Sequence, residues 1–338
     1  MKKQYFFTGS YASESEESIC LWELDTSSGK ISKLEALTGY LNPSYLITGN
    51  DSRNLYAVSE FDGAGEVFSF ALDENARPEF LNKLPIKGEV ACHLALSDKL
   101  LVIANYMSGS LSLLLLDKNG ALKEVVGEVV NQPSGGQAHY VLFCEEYPGK
   151  LLVADLGLDK VFTYQADLKT GKLNEILNEG ISLPKGSGPR HLVRHPKKSD
   201  LVYVISEYSA DIHVLKTGVE PQILQSISAL PENCAIENTA AAIRISADGK
   251  FLYSSNRGFD SIAVFQVDQD GLLSLVDIKK VSGSCTRDFC LFDDFAVVAY
   301  QESDLLEVFK IDADTGMLNE TGIKAEMISP ICICPVNI

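Results

Sequence analysis

The sequence predicts an all-β protein closed into a ring of similar sheets, and three observations carry that reading. A short apolar segment opening on a small or polar residue recurs along the chain, alignable on Leu46, Leu94, Val141, Leu192, Ile243, Phe289 and Ile333, which stand 44 to 51 residues apart. Each of the first six is followed by a second apolar segment with a polar tip. No stretch of a dozen residues sustains a helical period between capping signals. A period of this length belongs to one four-stranded blade, so seven repeats predict a seven-bladed β-propeller.

The elements of one repeat follow in order. The aligned segment is the first strand, and the second strands fall at residues 5–7, 55–58, 100–103, 151–153, 202–205, 252–253 and 295–298. A third segment alternates apolar and polar residues, as in residues 67–72 and 263–267, the period of a half-buried strand. Turns from Asp25 to Gly29, Asp117 to Gly120, Asp167 to Gly171, Asp268 to Gly271 and Asp312 to Gly316 lead into a fourth strand. The first of the second strands has no first strand before it, and the segment around Ile333 has no partner after it. Pairing of the two chain ends therefore completes one antiparallel four-stranded blade and removes the open sheet edges.

Residues 1–338 read as a single propeller domain, because glycine- and proline-rich breaks such as residues 132–136 and 184–188 recur at the repeat period and fit loops between blades. The opening Met1 to Gln4 runs straight into a strand and does not read as a signal peptide. No segment reaches the length of a membrane-spanning helix. Eight cysteines without a C-x-x-C pair fit buried reduced thiols rather than a disulfide scaffold or a zinc site. These features predict a cytoplasmic protein. A formal charge of -17 argues against nucleic acid or an anionic membrane as partner. The oligomeric state stays open.

In an up-and-down blade the start of the first strand and the end of the second lie at the same end of the sheet. With first strands innermost, these positions from every blade converge on one mouth of the central channel. The first-strand starts are Ser44-Tyr45, Cys92-His93, His139-Tyr140, Arg190-His191, Ala241-Ala242, Arg287-Asp288 and Ile331-Cys332. The second-strand ends are Ser10-Tyr11, Glu60, Asn105-Tyr106, Asp155, Glu207-Tyr208, Asn256-Arg257 and Gln301-Glu302. Of only seven arginines and five histidines, three of each fall in this set. His139, Arg190, His191, Arg257 and Arg287 would make a local positive funnel on an acidic protein, suited to a small anion. His93, with its apolar flanks, reads as a structural residue, and His195 and His213 fall outside the mouth.

The segments Pro184-Lys185-Gly186-Ser187-Gly188-Pro189-Arg190-His191-Leu192, Val153-Ala154-Asp155-Leu156-Gly157-Leu158-Asp159-Lys160-Val161, Ser255-Asn256-Arg257-Gly258-Phe259-Asp260-Ser261-Ile262 and Thr286-Arg287-Asp288-Phe289 resemble the seven-bladed propeller lactonases along the whole chain. That family includes bacterial 6-phosphogluconolactonases and a fungal 3-carboxy-cis,cis-muconate lactonising enzyme. The resemblance implies hydrolysis of a sugar-acid lactone, 6-phosphogluconolactone first among them, in the pentose phosphate route. It implies a catalytic set of His139, Arg190, Glu207 and Arg257. Substrate binding is expected from His191, Arg287, Asn105, Asn238, Asn256 and Gln301, with neither cofactor nor metal. Two positions depart from the family pattern: Gln137 replaces one histidine of a Pro-His-x-His stretch, and Ala242 stands where a glutamate is usual. Alternatives are a muconate-type lactonising enzyme, a metal-dependent lactonase using oxygen ligands from Glu60, Asn105, Asp155 and Glu207, and a non-catalytic binding platform.

Overall fold

In the computed structural model the described residues are 3–61, 63–130, 134–144 and 146–336. Part of the 132–136 break and the first two residues lie outside them. Seven antiparallel sheets form the ring. Blade one comprises Pro43–Thr48, Asn54–Ser59, Ala64–Leu72 and Pro78–Glu89; blade two comprises Ala91–Ser97, Leu100–Asn105, Ser110–Leu116 and Leu122–Val130. Blade three opens with Ala138–Phe143, Lys150–Asp155 and Lys160–Ala166, and blade four holds Pro189–Arg194, Leu201–Ser206, Asp211–Lys216 and Gln222–Ser228. Thr239–Ile245, Phe251–Arg257, Ser261–Val267 and Leu273–Lys280 form blade five, and Thr286–Phe292, Phe295–Tyr300, Leu305–Ile311 and Leu318–Glu326 form blade six.

Blade seven joins the two ends of the chain: Pro330–Val336 pairs with Lys3–Ser10, followed by Ile19–Asp25 and Ile31–Leu37. The closure is therefore a shared sheet. Helix among the described residues is confined to two single 3-10 turns, Leu177–Glu179 and Gln301–Ser303. The first of these splits the outer strand of blade three into Leu173–Glu175 and Ile181–Ser182, both paired with Lys160–Ala166, so that sheet has five strands instead of four.

The aspartates that open the third-to-fourth turns work locally. Asp25, Asp117, Asp167, Asp268 and Asp312 each accept a backbone N–H two residues ahead, the Asx-turn device. The core is divided among the blade interfaces. Phe6, Trp22, Leu306 and Val308 fill one, and Tyr203, Ile212, Leu252 and Phe265 another. Tyr56, Tyr203 and Tyr253 are fully buried, and their hydroxyls donate at 2.9 Å to the carbonyls of Gly120, Gly271 and Gly316 in the next blade's turn. Each such bond adds about 1 kcal/mol net and fixes the rotation of one blade against the next.

Candidate active site

The seven inner strands share one irregularity. In every blade the register between the first and second strands shifts at the first strand's start. The residues left without a partner are Ser44, Cys92, His139, Arg190, the pair Ala241 and Ala242, Arg287, and Ile331. A β-bulge bends the strand and re-aims a side chain. Here the bulges place His139, Arg190 and Arg287 at equivalent points around one mouth.

The second strands contribute by alternation. Ser10, Ser59, Asn105, Asp155, Ser206 and Asn256 are fully or almost fully buried, and all but Ser206 hold neighbouring segments through their side chains. Asp155 Oδ1, for instance, accepts the N–H groups of Gln137 and Leu158. The following residue lies on the opposite face, so Tyr11, Glu60, Tyr106, Glu207 and Arg257, with Gln301 after the buried Tyr300, meet the bulged residues, whereas blade three has the buried Leu156 at this position. Asn105 and Asn256, expected to bind substrate, therefore do not reach the mouth. Asn105 donates to Ser110 and Ser112, and Asn256 to Ala229 O and Ser261. Tyr11, Glu60 and Tyr106 fall among the mouth positions read from the strand ends but not among the residues expected to bind substrate, although the one-residue step from the buried Ser10, Ser59 and Asn105 turns them toward the mouth.

Glu207 is the hub. Its Oε2 accepts Arg190 Nε at 2.8 Å and Arg257 Nη2 at 3.0 Å. Arg190 Nη1 also reaches His191 Nε2 at 2.9 Å and Ala241 O at 2.8 Å. That carbonyl belongs to the blade-five bulge. Arg257 Nη2 donates to Ala240 O at 2.9 Å, while its Nε is buried without a partner. Burial pushes the Glu207 pKa up, but Arg190, Arg257 and Arg287 together hold it below the ordinary carboxylate value. Burial and the nearby Arg257 pull Arg190 down to about 10. Beside them, Arg287 Nη2 donates to the Tyr11 hydroxyl at 2.8 Å, which donates to Glu60 Oε1 at 2.6 Å.

His139 is 6% exposed, 5.4 Å from His191 and 5.8 Å from Tyr106 between ring centroids. Its Nδ1 is buried and unpartnered. Burial first, then Arg190, Arg287 and Arg257, push its pKa well below the usual histidine value, so the ring is neutral. Below it the channel is filled by Tyr45, His93, Tyr140 and His191, with His93 3.7 Å from Tyr140 and Tyr140 4.7 Å from His191. His191 is thus part of the packing beneath Arg190. Ala242 is fully buried in the apolar cluster that includes Tyr253 and Phe289, which leaves Glu207 as the carboxylate between Arg190 and Arg257.

Loops fix these side chains. Asp159 Oδ2 accepts Gly186 N–H at 2.6 Å and its Oδ1 accepts Gly188 N–H at 2.8 Å, clasping the segment that leads into Arg190. Gly188 has φ +66°, and a Cβ there would stand 2.7 Å from the Tyr208 ring. In the next blade but one, Asp260 holds Cys285 N–H at 2.9 Å ahead of Arg287. Asn238 and Gln301 line a cleft of about 410 Å³ with Arg257 and Arg287. Among the described residues no group of three or more His, Cys, Asp or Glu side chains is arranged to hold a metal.

The arrangement offers a neutral imidazole, a pinned carboxylate and three guanidinium groups at one opening, a set chemically able to activate water and to stabilise a developing negative charge. The family described as Lactonase, 7-bladed beta-propeller, matches residues 5–335. The chain is 33% identical to a 6-phosphogluconolactonase of Bacillus subtilis, with 98% of each covered. The solved periplasmic gluconolactonase of Pseudomonas aeruginosa superposes with a TM-score of 0.92 at 28% identity over 100% of both chains. A protein from Lactobacillus plantarum superposes with a TM-score of 0.90 at 28% identity, covering 99% of this chain and 100% of that one. The chain belongs to the seven-bladed β-propeller lactonase family and is a lactone-hydrolysing carboxylic ester hydrolase.

Proposed function

We propose that the chain hydrolyses 6-phosphogluconolactone to 6-phosphogluconate. The observation that carries this reading is the charge at the mouth: three guanidinium groups face two carboxylates, Glu60 and Glu207, on a protein of formal charge -17. A local cationic opening of this kind recruits a small anion. The name of the Bacillus subtilis relative agrees with the reading. A phosphorylated sugar acid also fits a cytoplasmic role in the pentose phosphate route.

In the proposed reaction His139 takes a proton from water as the oxygen adds to the lactone carbonyl. Arg190 and Arg257, both braced on Glu207, hold the oxyanion, a contribution of about 3 kcal/mol per donor. Collapse breaks the bond from C1 to the ring oxygen, which recovers the proton from His139 and leaves a hydroxyl and a carboxylic acid, and the acid releases its remaining proton to solvent to give the carboxylate. Burial first, and then the three arginines, depress the basicity of free His139. A bound dianion offsets their charge, so substrate binding itself raises the base toward its working strength. Glu207, held ionised by its two arginines, orients them and does not shuttle protons.

A second reading, turnover of unphosphorylated gluconolactone, draws on the name of the Pseudomonas aeruginosa relative and on Glu237 and Glu302 at the edge of the arginine cleft. Hydrolysis of the phosphorylated and unphosphorylated lactones, each corrected for its spontaneous rate, separates the two. The proposal expects a higher kcat/KM with phosphate present. A higher value for the unphosphorylated lactone would reverse it.

A further inference from the structure

We propose that the cleft between blades five and six, walled by Arg257 and Arg287, is the subsite for the substrate's phosphate, and that Arg287 sets the preference for a dianionic over a neutral lactone. The inference rests on the lactone reading above and assigns separate tasks to the three arginines.

Arg190 is closed in, with a side chain 4% exposed and acceptors on Glu207, His191 and Ala241. Arg257 makes its bonds through Nη2 and leaves Nε unpartnered at the boundary between Glu207 and the cleft. Arg287 differs from both. Among the described residues it has no carboxylate within ion-pair distance, whereas Arg190 and Arg257 share Glu207. Its partners are neutral: the Tyr11 hydroxyl, and Gln301 Oε1 at a long 3.4 Å. Glu60 is one step removed, behind Tyr11.

The guanidinium carbon stands 5.1 Å from the centroid of the Tyr11 ring, and Cys285 ahead of Arg287 is held by Asp260, so the group is preorganised. A planar, oriented guanidinium without its own counter-ion is what bidentate phosphate recognition needs. Asn238, Thr239, Ser284 and Gln301 add polar walls, and about 410 Å³ accommodates the distal end of a hexose acid. Glu237 and Glu302 also line the cleft; both are exposed, and Glu302 already accepts the Ser284 hydroxyl at 3.1 Å. Their repulsion is screened by solvent and salt, while the half-buried Arg287 is screened less. His191 holds no phosphate in this scheme, since its Nε2 accepts Arg190 and it lies in the channel packing.

The test measures kcat/KM on 6-phosphogluconolactone and on glucono-δ-lactone for the wild type, Arg287→Gln and Arg287→Lys, with folding checked by thermal melts. The ratio of the two values is expected to fall at least ~30-fold in Arg287→Gln and to recover partly in Arg287→Lys, the loss of one charge-assisted contact. A ratio within threefold of the wild type in Arg287→Gln overturns the subsite. If the wild type itself shows no preference for the phosphorylated lactone, the substrate reading fails, and calorimetric titration with inorganic phosphate then judges the cleft alone. Saturable binding weakened at least ~10-fold by Arg287→Gln supports an anion site there. No binding, or equal affinity in both proteins, removes it.

Discussion

The channel holds two buried arginine–carboxylate clusters of opposite design. Toward one end, Arg244 Nη2 meets Asp288 Oδ1 at 2.6 Å, and Asp288 Oδ2 accepts the Ile333 N–H at 2.9 Å, joining blades five, six and seven. Charge is balanced one to one and every carboxylate oxygen is used. At the mouth, Arg190 and Arg257 share a single oxygen of Glu207, Arg287 stands beside them, and a buried Nε lacks a partner. The same residue types thus form a structural tie in one place and an unbalanced, ligand-seeking cluster in the other. Charge stoichiometry and access separate the two, and residue identity does not.

The contrast is tested most severely at the balanced pair. Arg244→Met should strip Asp288 of its counter-charge and cost about 3–5 kcal/mol of stability. The kcat of the protein that remains folded should stay close to the wild type. Urea unfolding alongside kinetics checks both halves, and a large fall in kcat with intact stability would make the tie part of the chemistry.

His93, His139 and His191 stand between the clusters, and burial, followed by the arginines, pushes each well below the usual histidine value. The unfolded chain takes up protons on all three as pH falls through ~6.5, and the folded protein does not. Stability is therefore fully present above that value and declines below it, with a slope approaching ~4 kcal/mol per pH unit for three protons. Urea midpoints between pH 7.5 and 5 should show the decline. A flat profile would mean that these rings are already protonated or exposed in the folded state.

At the unbalanced cluster, His139→Ala should lower kcat at least ~100-fold, about 2.7 kcal/mol of transition-state stabilisation, without unfolding the ring. An unaltered rate removes His139 from the mechanism. The clasp on the Arg190 loop should matter less. Asp159→Asn keeps the left-handed backbone (φ 49°) but turns an amide N–H toward one of the two glycine N–H groups that Asp159 accepts. A roughly tenfold fall in kcat with little change in KM is expected, near 1.4 kcal/mol. Full retention of kcat would show that other contacts place Arg190.

Much of this was readable in the sequence because sevenfold repetition converts position into geometry. The aligned apolar residues give the blades and their closure, and the strand ends collect His139, Arg190, Glu207, Arg257 and Arg287 without any contact being known. What repetition hides is the direction of each side chain. Asn105 and Asn256 share the polar tips of their strands with Tyr106 and Arg257, yet one residue along a strand reverses the face. The bulges that aim His139 and Arg190 are register shifts, which leave no mark in composition. Nor does sequence reveal that the carbonyls of Ala240 and Ala241 become acceptors for Arg257 and Arg190.

The smallest expected effect bounds the comparison from the other side. Thr48 closes the inner strand of blade one at the end opposite the bulge, where its hydroxyl donates to Pro335 O at 3.3 Å near the surface. Thr48→Val preserves shape and β-branching and removes a solvent-accessible bond. Stability should move by no more than ~0.5 kcal/mol and kcat/KM by less than twofold. If hydrolysis depended only on an intact ring, any inner-strand change would be felt equally. A silent Thr48→Val beside a crippled His139→Ala confines the chemistry to the bulged ends of the same strands, whereas a matching loss in both would mean that the packed tyrosines and histidines transmit strain along the channel and that the two ends are not separable.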